Sequence, residues 1–471
     1  MGNFEIFPII FSERCTRNKR LSISTAPASQ TPAAPAAVST VVLSSLSFRS
    51  TVPEERKMRF DPRDPEEQML SFSPWKRGRP ETWGPHQIGR HSFREEFDAH
   101  TYANIDLDIE TKRAAMKASP FVVSLVSLSG GKPLFMGSGT IVDCEEVYGA
   151  HLSTSTVLTS ASLFITSTGS DALSNDIKVE VYLSDGTKLD GQVYACDFYY
   201  NLALIKIESD AMLQPASLRK LDDSISIHPC EIQNELGSKS FQLRPHSDLF
   251  PLCPGDEVVA LGRYFEEPHE IMAAPGKFSL DSCEFDCKEL FRANCKISKC
   301  GIGGPSINRN GEVIGINFYD RLCTPFLPIN IVLKWLEHFN KYGRFCRRWL
   351  GMQMTNLYAA RLHQLEKIIQ KFPNISKGVL VEEVIEGSPA ERAGILDGDV
   401  IIRCAGKDVG SFLEFCGRIW DKKKESVKLV VIRASGDRLK LKVKLDEASP
   451  DKFYRWPLPE ECRVSVKRVR M

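Results

Sequence analysis

The sequence predicts a mainly β chain, with a small α+β unit toward its C-terminal end and a long N-terminal stretch set apart by composition. Three observations carry this reading. Residues 427–433 and 439–445 alternate apolar and polar side chains on either side of Ser435-Gly436-Asp437, the pattern of two antiparallel strands joined by a turn. Residues 378–402 read as an alternating strand, a short helix begun by Ser388 as cap with Pro389 in its first turn, and Asp397-Gly398-Asp399 turning into the next strand. Gly301, Gly303 and Gly304 crowd one short segment, as a tightly turning loop requires.

Taken from the start, residues 14–53 hold no acidic side chain; Ser, Thr, Ala and Pro dominate, and Arg14, Arg17, Lys19, Arg20 and Arg49 supply the charge. That composition suits either a plastid or mitochondrial transit segment or a disordered linker. Glu5 and Glu13 run against the transit reading, and Met1-Gly2 lacks the Ser or Thr at position 6 that myristoylation needs. Residues 54–100 mix charge and proline with Phe60, Phe72, Trp75, Trp83 and Phe93, which suits a segment docking on the rest of the chain or on a partner. Lys76-Arg77-Gly78-Arg79-Pro80 reads as solvated surface, or alternatively as a nuclear signal or minor-groove hook. The compartment therefore stays open between plastid, mitochondrion, nucleus and cytoplasm. Residues 106–117 then read as a short helix leading into the first strand.

The chain has 471 residues, 42% hydrophobic and 26% charged, enough for two or three domains with real cores. A net charge of +1 gives no global case for nucleic acid or anionic membrane, and no run is apolar for long enough to span a bilayer. Local basic runs at 344–348, 422–424 and 463–470 read as solvated surface. Among fourteen cysteines, Cys283, Cys287, Cys295 and Cys300 fall close together, but their spacing matches no zinc knuckle. Reduced, mostly buried thiols are expected, with no metal and no cofactor. The N-terminus lacks the basic start and apolar middle of a secretory signal, so an oxidising compartment is not indicated.

Cys300-Gly301-Ile302-Gly303-Gly304-Pro305, followed by Ser306-Ile307-Asn308, resembles the nucleophile loop of trypsin-like serine proteases, Gly-Asn/Asp-Ser-Gly-Gly-Pro, with Ile302 where the serine belongs. Val157-Leu158-Thr159-Ser160-Ala161-Ser162 resembles the V-L-T-x-A-H segment that delivers the histidine base, with Ser162 at the histidine position. Asn201-Leu202-Ala203-Leu204-Ile205-Lys206 resembles D-L-A-x-L-K, with Asn201 at the aspartate position. The matches fall in the order His, Asp, Ser. By the same kind of resemblance, residues 378–402 and the closing hairpin look like a PDZ domain. Its carboxylate-binding loop would be Trp349, Leu350, Gly351 and Met352, its receiving strand residues 353–356 beginning at Gln353, and its groove helix residues 411–420.

A trypsin-like domain followed by one PDZ domain is the architecture of the HtrA/DegP, or Do-like, protease family, and the chain resembles it over roughly residues 113 to 446. The fold so implied is a trypsin-like double β-barrel at 113–342 and a PDZ domain at 343–446. They are preceded by a disordered or transit-like segment at 1–53 and a charged, aromatic extension at 54–112, and followed by a basic tail at 447–471. Residues 208–253 are longer than the usual join between the barrels.

No catalytic residue is expected at the three matched positions. An isoleucine cannot attack a carbonyl, a serine hydroxyl is no base at neutral pH, and an asparagine carries no charge to stabilise an imidazolium. Triad members act as a unit, so loss of the nucleophile alone costs on the order of a millionfold. Cys300 and Ser306 flank the loop, and Lys296, Lys299, His151 and His269 are available for a displaced Ser-Lys or Cys-His pair, but no spacing selects one. Cys300, Gly301 and Ile302 are expected to keep the backbone of an oxyanion loop. The resemblance thus implies an inactive relative that binds peptide segments or C-termini through its PDZ domain, as adaptor, chaperone-like holder or regulator, in homo-oligomers or assembled with active paralogues. The alternative is a Do-like serine endopeptidase of protein quality control with a rearranged site.

Overall fold

A computed structural model describes residues 107–146, 152–164, 177–228, 249–280, 285, 287, 289–320, 322–343, 348–420, 422, 426–433 and 435–447, all within one compact unit, Pro80–Met471. The transit-like segment, most of the aromatic extension, His151, Cys283 and the tail beyond Glu447 lie outside the described residues.

Helix α1 (Ile109–Ala118) starts later than the expected 106, because Asp108 turns its carboxylate onto the backbone N–H groups of Glu110 and Thr111 and so caps the helix from outside it. Ala114, Ala115 and Ala118 form its buried face. Six strands follow: β1 (Val122–Ser129), β2 (Lys132–Glu146), β3 (Ser153–Ser160), β4 (Ile177–Tyr182), β5 (Lys188–Asp197) and β6 (Leu202–Ser209). They close into a barrel in the order β1-β2-β3-β6-β5-β4, with β4 returning to β1. β5 alternates exposed and half-buried positions over most of its length, whereas β3 and β6 are buried almost throughout. The wall carrying the matched segments is thus the inner one.

β7 (Leu221–Asp222) and β8 (Phe250–Pro251) pair in parallel between the barrels. The second barrel comprises β9 (Glu257–Arg263), β10 (Ile271–Ser279), β11 (Phe291–Ala293), β12 (Pro305–Ile307), β13 (Val313–Asn317) and β14 (Thr324–Pro328), closed in the order β10-β11-β14-β13-β12-β9. Helix α2 (Ile329–Tyr342) buries Ile329, Ile331, Val332 and Trp335 and stops at Gly343, whose φ of 63° is the left-handed ending that glycine adopts most readily. Trp335 Nε1 donates to buried Asp197 Oδ2 at 2.7 Å, tying α2 to the end of β5.

The PDZ unit runs through β15 (Arg348–Trp349), β16 (Met352–Asn356), α3 (Leu362–Lys371), β17 (Val379–Val384), α4 (Pro389–Arg392), β18 (Val400–Cys404), β19 (Lys407–Asp408), α5 (Phe412–Trp420), β20 (Ser426–Ile432), β21 (Arg438–Lys444) and β22 (Asp446–Glu447). Its sheet is ordered β16-β17-β18-β20-β21, with β19 beside β18. As expected, β20 and β21 form a hairpin, and Ser388 caps α4 by accepting from the Glu391 N–H with Pro389 in the first turn. β16 is the end strand of the sheet and faces α5. That geometry leaves one strand edge and one helix to frame a groove.

Candidate active site and peptide groove

β3 ends at Ser160 and passes into the 3-10 turn Ala161–Phe164, which carries Ser162. Asn201 stands immediately before β6 with φ of 54°, a left-handed conformation that asparagine tolerates better than most residues. The two are brought together. Asn201 Oδ1 accepts from the Ser162 N–H at 2.7 Å, from Ser162 Oγ at 2.9 Å and from Ser160 Oγ at 3.1 Å, while Asn201 Nδ2 donates to Ser162 Oγ at 2.7 Å. The Ala161 N–H closes the set on the Asn201 carbonyl at 3.1 Å. Each of these groups is neutral at physiological pH.

The glycine loop reaches the end of β3 from the second barrel. Gly303 has φ of 79°, and a Cβ there would fall 2.3 Å from Thr159 Oγ1 and 2.8 Å from the Ser160 nitrogen, so the loop lies against the end of β3 where only glycine fits. Lys299–Gly301 form a 3-10 turn, with the Gly301 N–H donating to Ser298 O at 3.0 Å and the Ile302 N–H to Lys299 O at 3.1 Å. The Ile302 carbonyl in turn accepts from the Ser138 N–H at 2.8 Å. An oxyanion loop stabilises charge with outward-facing amides; here the Ile302 amide is committed inside the turn.

The residues considered for a displaced nucleophile or base are distributed as follows. Cys300 is buried with Sγ 2.7 Å from Ser298 Oγ, and Ser306 places its hydroxyl 2.5 Å from Asn317 Oδ1. His269 is buried, stacked on Tyr182 with centroids 4.4 Å apart. Lys299 is buried and Lys296 exposed. Among the described residues no cluster of three or more His, Cys, Asp or Glu side chains could hold a metal ion, and no helix is long and apolar enough to cross a membrane.

Trp349, Leu350, Gly351, Met352 and Gln353 together line part of a separate cavity of about 460 Å³. Gly351 has φ of 71°, and a Cβ there would sit 2.3 Å from Ser388 Cβ. β16 supplies one wall through Met352 and Met354, and α5 the other through Phe412, Phe415, Ile419 and Trp420. A third wall was not foreseen from sequence. Tyr199 and Tyr200 of the first barrel and Glu289 of the second complete the cavity. Tyr200 stacks on Trp420, centroids 5.9 Å apart, and burial pushes its phenol well above the ordinary range. The signal was present in Tyr199-Tyr200 directly preceding Asn201, two large aromatics at a strand start, but their contact with a distant helix is set by packing between domains.

Two closed barrels, a glycine loop against the end of a first-barrel strand, and a strand–helix groove after them define a trypsin-like peptidase fold with a PDZ domain. Comparison with known proteins agrees: the trypsin-like peptidase domain pattern matches residues 137–316 and the PDZ domain pattern residues 349–445. The chain is 32% identical over 353 residues to putative protease Do-like 14 of Arabidopsis thaliana, covering 72% of each chain. It is 28% identical over 290 residues to serine protease HTRA1 of Xenopus tropicalis, covering 59% of this chain and 56% of that relative, so it spans little more than half the frog protein. Among solved structures it is similar to the serine endoprotease from Yersinia pestis, at 17% identity and a TM-score of 0.40, covering 73% of this chain and 100% of that one. A second is the HtrA-type protease AlgW with tripeptide, at 19% identity and a TM-score of 0.46, covering 72% and 98%. The chain belongs to the HtrA, or Do-like, protease family.

Proposed function

We propose that this chain is a catalytically inactive member of its family that captures peptide segments or C-termini in the groove between β16 and α5. It would serve as an adaptor, a chaperone-like holder or a regulator assembled with active paralogues. The observation that carries the reading is the Ser162–Asn201 pair. At the positions where the resemblance puts base and carboxylate, the two side chains bond to each other, and neither takes up a proton near neutral pH. Ile302 offers no nucleophile, and its amide already donates to Lys299 O. Capture of a peptide is supported by β16 ending its sheet beside the turn at Gly351, the geometry in which an extended segment adds as a strand and backbone amides hold its carboxylate.

Casein degradation tests the first half. The natural protein and an Ile302→Ser variant are expected to leave casein intact, and activity is expected only in the triple variant Ile302→Ser, Ser162→His, Asn201→Asp. Cleavage by the natural protein, with labelling by a serine-directed fluorophosphonate, would transfer the assignment to the endopeptidase reading. The second half is tested with a C-terminal peptide library. Gly351→Val should abolish capture while the barrels stay folded, because a branched side chain suits neither φ of 71° nor the space beside Ser388. Unchanged affinity counts against the groove.

A further inference from the structure

We propose that residues 221–228 form a strap between the barrels and the PDZ unit, and that Asp223 within it is a positioning residue that sets both walls of the groove. At its first end the strap is fixed to the barrels. The Leu221 N–H donates to Asn330 Oδ1 at 2.7 Å and Asn330 Nδ2 donates back to the Leu221 carbonyl at 2.9 Å, while the Leu252 N–H reaches the Asp222 carbonyl at 3.0 Å. At its second end it enters the PDZ unit. The Ile227 N–H donates to Ser376 O at 2.9 Å, and the Ile227 side chain packs against the cluster of Leu357, Ile368, Leu380 and Val400.

Asp223 stands between these anchors and is 1% exposed. Its Oδ2 accepts from Asn356 Nδ2 at 2.8 Å and from the Leu413 N–H at 3.3 Å. Asn356, the last residue of β16, uses its own Oδ1 to accept from the Phe412 N–H at 2.7 Å. The first amides of a helix have no partner within it and must be satisfied from outside. Here a residue from the inter-barrel join and one from the facing strand share that task, so β16 and α5 meet at a single carboxylate. Such a carboxylate is costly to bury, and Asp223 Oδ1 has no hydrogen-bond partner among the described residues. The positive end of the α5 dipole is its nearest compensation. A buried charge of this kind contributes little net stability but fixes one arrangement of the elements around it. The groove's width at its Phe412 end is therefore dictated by a segment that lies outside residues 349–445, and the PDZ unit is held against the barrels instead of hanging from a tether.

Hydrogen exchange on the full unliganded chain tests this whether or not the groove takes a peptide. In Asp223→Ala, the amides of residues 412–415 should exchange about tenfold faster, the size expected for loss of a helix cap, with β1 to β6 unchanged. Asp223→Asn keeps a carbonyl acceptor in place and should restore protection to within about twofold of the natural chain. If the alanine chain does not fold, Asp223→Ser, whose hydroxyl falls short of Leu413, takes its place with the same local rise expected. Unchanged exchange at 412–415, a rise spread evenly over barrels and PDZ unit, or an asparagine variant as fast as alanine would each overturn the proposal.

Discussion

At residue 201 two demands meet on one side chain. The backbone is left-handed, with φ of 54°, and the amide holds the Ser162 N–H and the Ser160 hydroxyl. Substituting alanine loses those bonds, at about 1–3 kcal/mol, and adds roughly 1–2 kcal/mol of left-handed strain. Asn201→Gly loses the bonds alone. Urea denaturation should therefore place Asn201→Ala below Asn201→Gly, itself below the natural chain; a glycine variant no more stable than alanine would show that the conformation carries no strain. The sequence, by resemblance, put Ser162 and Asn201 at two positions of one site; that their side chains bond to each other was not legible there. The closure of the Ile302 amide into a 3-10 turn was not legible. It depends on backbone torsions that a run of glycines permits without dictating.

Elements were read more reliably than their partners. The hairpin β20–β21 and the Ser388-capped turn followed from period-two alternation and cap chemistry, which act within a few residues, whereas the edge strand came from resemblance to a PDZ domain. The third wall of the groove and the strap did not, because Tyr200 against Trp420 and Asp223 against Leu413 join segments far apart in the chain. The strap's chemistry has a pH signature. Burial, only partly offset by the hydrogen bonds the carboxylate accepts, holds the Asp223 carboxyl above its ordinary value of 3.8. A carboxyl raised in the folded state contributes stability that is fully present below its unfolded value and is lost as pH rises through its folded value. The stability of Asp223→Asn relative to the natural chain should accordingly increase from about pH 4 to about pH 7. Urea midpoints at the two pH values would show this, and a difference that stays flat or shrinks would count against a raised carboxyl.

For the whole molecule, the order of two barrels and a PDZ unit was legible from motif sequence, while the cohesion between the barrels was hidden. Arg263, on β9, is 2% exposed and crosses from the second barrel to the first. Its Nε donates to Val122 O at 2.6 Å, Nη1 to His269 O at 2.7 Å and Nη2 to Ser119 O at 2.8 Å. Burial lowers its pKa to about 10, so it stays charged at neutral pH with carbonyl oxygens as its solvent. Arg263→Ala should strand those oxygens and destabilise the chain by at least about 1–3 kcal/mol, the scale of leaving one buried acceptor unsatisfied. A thermal midpoint within a degree or two of the natural chain would show that Arg263 is not what holds the barrels together.

The turn at Lys299–Gly301 gives the proposed inactivity a main-chain side. A side chain can revert by a single base change, but a peptide plane turned inward is held by its own hydrogen bond, by Ser138 gripping the Ile302 carbonyl, and by Gly303 wedged against Thr159. Restoring the hydroxyl at position 302 leaves all three grips in place. The triple variant therefore cleaves casein only as bound substrate draws the Ile302 amide back out of its turn, which makes its rate a readout of the main chain as well as of the three side chains.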